Sequence, residues 1–462
     1  MSQDTSANSF THGRLGTIYA KTALPIIFVM AMNGFLALVD AIFLGVYVGP
    51  EALGAVTLMF PLYMVLVAIA TLVSGGMSSI LARMLGARDT DKALSAIAGA
   101  HGLALTLGGI IIILFVLFGH SITLLASGGT AELATMGHTY LGILVYFAPF
   151  FFVLSVNSDA LRNEGRVGLM AITSLSVSLV NIGLNYLLIV WLDMGVAGSA
   201  YGTVISQSLA LAALVIFRIW GNTPLKIQAF AKHSFLHGWR PIMALGTPQS
   251  LNFIGLSLTS GAIIFALQWV ETPNYASTVA AYGVITRVMT FAFLPLLGLS
   301  HALQSITGNN YGAELWQRSD QSLKLGLIIA FIYCLITQGI LIGLSGQLGS
   351  LFVADANVIA EVNRILPIVV ALFFIGGPQL MIVSYYQAIG EAARAAILGL
   401  TKPYIFSVPL IFLLAEGLGE YGIWVAAPTA EVLLILLTLW VLSRAARQQK
   451  RHWGVFTAQT QG

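Results

Sequence analysis

Residues 18–47 read IYAKTALPIIFVMAMNGFLALVDAIFLGVY, thirty residues whose only charges are Lys21 and Asp40. A helix crossing a hydrocarbon layer roughly 30 Å thick takes about 20 such residues. The stretch therefore reads as a membrane span with a carboxylate near one end. Working outward, charge-poor apolar runs recur at 53–80, 93–118, 133–156, 167–192, 196–217, 241–270, 276–306, 323–344, 365–389, 395–415 and 421–442. None shows the strict alternation of barrel strands. The expectation is an all-α integral membrane protein with twelve transmembrane helices.

Composition agrees. The 462 residues are 58% hydrophobic and 8% charged, against about a quarter charged in a soluble domain. Cys334 is the only cysteine, so no intramolecular disulfide can form. Residues 1–17 are polar and lead into a run too long for a signal-peptide core, so they read as a tail.

Orientation follows from the basic residues. The N-terminal end and every second connection collect Arg14 and Lys21; Arg83, Arg88 and Lys92; Arg162 and Arg166; Arg218, Lys226, Lys232 and Arg240; Arg318 and Lys324; Arg394 and Lys402; and Arg444, Arg447, Lys450 and Arg451. That is 19 of the 21 Lys and Arg, while the alternate connections hold mostly acids. By the positive-inside rule both termini are cytoplasmic.

Landmarks repeat at one spacing. Pro25 and Pro248 are 223 apart, Gly86-Ala87 and Gly312-Ala313 226, Gly165 and Gly390 225, and Gly195 and Gly422 227. Two six-helix bundles of equal orientation are implied, a transporter architecture. The expected domains are a tail at 1–17, a first bundle at 18–219, a cytoplasmic linker at 220–239, a second bundle at 240–444 and a tail at 445–462. There is no phosphate-binding GxxxxGK[ST] loop and no HExxH, GxSxG or DDxxD motif. An enzyme is therefore disfavoured, nothing points to a nucleic-acid partner, and transport would draw on an ion gradient rather than ATP.

Polar residues inside the spans are the candidate machinery, because each charge there costs several kcal/mol. Asp40 is poised to exchange H⁺, Na⁺ or an organic cation; a permanently protonated structural aspartate is the alternative. Asn181 and Asn185 share a face of the fifth span. With Thr203 and Tyr140 they come to the depth of Asp40 and can form one oxygen-rich cluster, or serve as interhelical glue. Arg287 and Glu431, at equal depth in the eighth and twelfth spans, are expected to form a structural ion pair, with substrate contact as the alternative. His101, His120, His138 and His301 look scattered. Pro25 and Pro248 remove a helical hydrogen bond, and Pro25 is a candidate hinge.

These stretches resemble a family. Ala23-Leu24-Pro25 through Val39-Asp40-Ala41-Ile42-Phe43, Gly49-Pro50-Glu51-Ala52-Leu53, Asn181-Ile182-Gly183-Leu184-Asn185 with Gly195-Val196-Ala197-Gly198, Gly308-Asn309-Asn310-Tyr311-Gly312 and Ala427-Pro428-Thr429-Ala430-Glu431 are similar to multidrug and toxic compound extrusion (MATE) transporters, in particular the DNA-damage-inducible F branch. The resemblance implies a V-shaped pair of bundles in the bacterial inner membrane. It implies export of amphipathic, usually cationic drugs by antiport with H⁺ or Na⁺, without other cofactors, by a monomer whose further partner is membrane lipid. It also implies an ion site at Asp40, Asn181, Asn185 and Thr203, with Tyr140 nearby and Pro25 at the bend of the first helix. Asn185 stands where relatives often carry a second aspartate, so Asp40 is the one titratable carboxylate of the cluster. Na⁺ could still find several oxygens at those four residues, but a proton needs Asp40 alone, and H⁺ is favoured. A flippase for a lipid-linked oligosaccharide is the alternative; it would need a more cationic interior than Arg287 supplies.

Overall fold

A computed structural model describes residues 8–272, 274–449 and 453–456. The outer parts of both expected tails, with Lys450 and Arg451, lie outside the described residues. Everything described is helix or short connection, without a β-strand. Among the described residues ten helices are long and apolar enough to cross a membrane, and two bent pairs bring the number to twelve if each pair is one span.

The first half runs α1 (Leu15–Val48), α2 (Pro50–Gly86), α3 (Thr90–Ala126), the bent α4 (Ala131–Tyr146 and Ala148–Asn163), α5 (Val167–Trp191) and α6 (Gly195–Trp220). The second runs α7 (Trp239–Trp269), α8 (Tyr275–Gly312), α9 (Trp316–Gly343), the bent α10 (Ala356–Val369 and Phe373–Ala388), α11 (Ala392–Leu418) and α12 (Glu420–Gln448). Both bent spans turn by 51°. Ala131 and Ala356 open their first parts and Ala148 and Phe373 their second, in each case at the offset that separates Gly165 from Gly390. The repeat thus extends to the interruptions.

A break in a membrane helix frees backbone groups that lipid cannot satisfy. In α10 the side chain of Gln338 in α9 takes up two of the freed groups: Nε2 donates to the Ala371 carbonyl at 2.9 Å and Oε1 accepts from the Phe374 N–H at 2.9 Å. In α4, Pro149 stands in the first turn after the break, where its missing N–H is least missed.

The chain forms two compact units, one of residues 8–13 with Ala20–Ser250, the other of Arg14–Tyr19 with the described residues from Leu251 onward. The core of the first unit gathers Val73, Met77 and Leu81 of α2, Ile97 of α3 and Phe152 and Val156 of α4; that of the second gathers Leu267, Ile285, Leu366 and Trp424. The division falls inside α7, not in the expected linker, for a packing reason. Leu225 and Phe230 of the linker are buried in the first core. A Cβ on Gly99 or Gly102 of α3 would stand 2.0 or 1.9 Å from the carbonyl oxygens of His237 and Phe235. Backbone also meets backbone where α7 crosses α2. A Cβ on Gly76 would meet the Ile242 oxygen, and one on Gly246 the Leu72 oxygen, each at 1.9 Å. Gly246→Ala is accordingly expected to destabilise the protein by about 1–3 kcal/mol, since no rotamer change relieves a carbonyl clash; thermal unfolding in detergent measures it.

The segment after α12 repeats this device in the second unit. Tyr385 Oη donates to the Val455 carbonyl at 3.0 Å and Tyr386 Oη to the Gly454 carbonyl at 3.1 Å. Val455 is buried and stands at the repeat spacing from Phe230.

Candidate functional site

Three helices of the first unit bring the cluster together. Asp40 lies one turn before a wide, π-helical turn of α1 (Leu44–Val48), and Asn185 directly before another in α5 (Tyr186–Trp191). The two turns pack against each other. Such turns break the i→i−4 ladder and often mark functional positions. Asn181 and Asn185 are fully buried, and Asp40 and Thr203 half-buried.

Asn185 Nδ2 donates to Asp40 Oδ1 at 2.5 Å. Asn181 stands beside the same carboxylate: with its amide oriented to match its neighbours, Nδ2 donates to Asp40 Oδ1 at 3.0 Å, and the oxygen accepts from the Thr203 N–H at 3.0 Å and its hydroxyl at 3.2 Å. Asp40 Oδ1 thus accepts from both asparagines, an arrangement suited to a carboxylate.

Asn185 Oδ1 has no hydrogen-bond partner among the described residues and points at Gly202 of α6, where an added Cβ would stand 2.2 Å away. Gly202→Ala is expected to push Asn185 off Asp40 and cut gradient-driven transport roughly tenfold, about 1.4 kcal/mol of misplaced interaction, with α5 and α6 still folded; vesicle efflux beside a melting curve separates the two effects. Sequence reading missed Gly202, because a glycine in a Gly-rich helix carries no signal until its neighbour is known.

Tyr140 makes no hydrogen bond to Asp40 but lies within its electrostatic reach, as does Tyr63 of α2, which sequence reading also missed. Tyr63 and Thr203 further line a small cavity with Leu144, Phe147, Phe151 and Gln207. Pro25 sits inside an unbroken stretch of α1, about four turns before Asp40. The second half has no counterpart of the cluster. At the repeat spacing, Asp40 corresponds to Ile263–Phe265, Asn181 to Phe406 and Asn185 to Leu410.

Charges in the second unit differ from expectation. Glu431 pairs with Lys402, not with Arg287. Arg287 is exposed and makes no ion pair among the described residues. Equal depth in two helices does not place side chains on facing sides, and α11 rather than α8 presents a cation to Glu431. Lys402 is correspondingly no residue of a cytoplasmic connection: it stands well inside α11, which starts at Ala392. Nor are the histidines all scattered, since the His120 and His138 rings lie 6.1 Å apart and His101 stacks on Phe230 at 5.0 Å.

The MatE family model matches the chain twice, at residues 25–187 and 250–413, once in each half and at the spacing of the internal repeat. The chain is 25% identical over 412 residues to the probable multidrug resistance protein YoeA of Bacillus subtilis, covering 87% of each. It is 23% identical over 425 residues to the multidrug export protein MepA of Staphylococcus aureus, covering 91% of this chain and 92% of that one. Among solved structures, an outward-facing multidrug resistance MATE family transporter of the MOP superfamily superposes with a TM-score of 0.86 at 23% identity, over 97% of this chain and 100% of the other. With both of its halves matched and the fold shared throughout, the chain belongs to the MATE family of multidrug efflux transporters.

Proposed function

We propose that the protein is a secondary active exporter of amphipathic cations, driven by exchange with H⁺ and coupled through Asp40. The observation that carries this reading is a lone carboxylate inside a membrane helix, held by Asn185 and Asn181 in one polar cluster with Thr203. When the site is open to the outside, Asp40 takes a proton, loses its charge and releases a cationic drug. The neutral site returns, gives up the proton to the cytoplasm and binds again. Drug and proton must each bind the two states unequally, or nothing is coupled. Na⁺ is the second candidate, since the four residues offer oxygens enough for a hard cation.

The same reading assigns the chain to the DNA-damage-inducible F branch, acting as a monomer in the bacterial inner membrane with both termini cytoplasmic. The multidrug relatives named above support the substrate class. Efflux of rhodamine 123 from vesicles holding the purified protein tests it: an imposed pH gradient is expected to drive accumulation against the dye gradient, and a Na⁺ gradient alone is not. If neither gradient moves the dye, the exporter reading fails.

A further inference from the structure

We infer that Lys402 and Glu431 form a second binding position, confined to the second unit, for amphipathic ligands carrying a negative and a positive group together; this rests on the exporter reading above. The pair joins α11 to α12 in mid-helix. Gly376 of α10 lies against the Glu431 carboxylate, and Cys334 of α9 is within its electrostatic reach, so four helices converge there.

Three features separate it from a closed structural pair. Glu431 Oε1 is taken by Lys402, whereas Oε2, buried, has no hydrogen-bond partner among the described residues. The Lys402 side chain keeps 36% of its surface exposed against 11% for Glu431; inside a membrane a charged head with that exposure has to face water rather than lipid. Lys402 also opens the π-helical turn Lys402–Ser407. That turn is fixed on its far side by the Tyr404 hydroxyl, which donates to the Leu251 carbonyl at 2.7 Å, and by Pro403 packed against Gly255. The ammonium is thus carried by an anchored piece of backbone.

The charge balance selects the ligand. A simple anion on Lys402 would strand the buried Glu431 carboxylate, which is costly, and a simple cation would have to compete for Glu431 with the tethered Lys402 ammonium and leave that ammonium unmatched. A ligand with a carboxylate for Lys402 and an amino group for Glu431 opens the pair and leaves no charge unmatched.

Rhodamine 110, which carries a carboxylate and amino groups, and its methyl ester rhodamine 123, which lacks the carboxylate, make the test. In vesicles under a pH gradient the wild type is expected to move both. Lys402→Gln should lower rhodamine 110 transport about tenfold and leave rhodamine 123 within twofold, and Lys402→Arg should keep both. The double variant Lys402→Gln with Glu431→Gln, in which two neutral amides can bond each other, should lose rhodamine 110 by a similar factor. The unchanged rhodamine 123 transport reports that the variants fold. The inference is overturned if Lys402→Gln spares rhodamine 110, if it lowers both dyes alike, or if the wild type moves only rhodamine 123, a result that leaves the exporter reading intact. Movement of neither dye by the wild type overturns both readings.

Discussion

Asp40→Asn is expected to remove gradient-driven efflux almost entirely while leaving the protein folded. Asparagine has the shape of aspartate, and its side-chain oxygen can still accept from Asn185 Nδ2, the contact that holds Asp40 at 2.5 Å. What it cannot do is change charge. Coupling between two ligands is typically worth about 1–3 kcal/mol, or 5–150-fold in affinity, and here all of it would pass through one carboxyl, because the matching positions of the second half hold Phe406, Leu410 and the apolar run Ile263–Phe265. The variant should therefore lose rhodamine 123 accumulation by one to two orders of magnitude, and its dye affinity should no longer respond to pH. The melting temperature in detergent should stay near that of wild type. Efflux equal to wild type would mean that the coupling ion binds elsewhere.

Much of this is readable in the residues, for identifiable reasons. Each span is visible because lipid tolerates little but apolar side chains over about 20 residues, and the helix ends found in the structure fall close to most of those expected. The largest departures are at α10, which starts at Ala356 instead of Ile365, and α3, which ends at Ala126 instead of Phe118, since polar turns of helix beyond the hydrocarbon leave no hydropathy signal. The cluster is readable because Asp40, Asn181, Asn185 and Thr203 are polar where polarity is costly. Facing is not. Whether Glu431 meets Arg287 or Lys402 depends on helix rotation, which depth cannot supply. The 51° bends are hidden too: α4 and α10 read as continuous runs, and the residue that satisfies the break in α10, Gln338, is distant in sequence. The linker looks like a polar connection, although its buried residues Leu225 and Phe230 are apolar points in a basic stretch.

That linker supplies the largest expected loss of stability. Arg218→Met should destabilise the first unit by about 3–5 kcal/mol, the usual consequence of stranding one member of a buried ion pair. Arg218 and Glu164 keep only 1% and 2% of their side-chain surface exposed, and Arg218 Nη1 donates to Glu164 Oε1 at 2.5 Å. The same guanidinium reaches Thr223 Oγ1 at 3.2 Å and the Leu225 carbonyl at 3.4 Å, while its Nε donates to Asn157 Oδ1 at 3.3 Å. Asn157 in turn bonds His101 at 3.0 Å, under Phe230. Methionine fills much of the volume but leaves the Glu164 carboxylate with the Thr223 hydroxyl alone. The connection should then detach, and limited proteolysis should cut within residues 220–239 at protease levels the wild type withstands. Adding Glu164→Gln removes the stranded charge, so the double variant should recover most of the lost stability; the non-additivity of the cycle measures the pair itself. A single variant melting with the wild type would show that the linker is held by its apolar contacts, with the ion pair contributing nothing net.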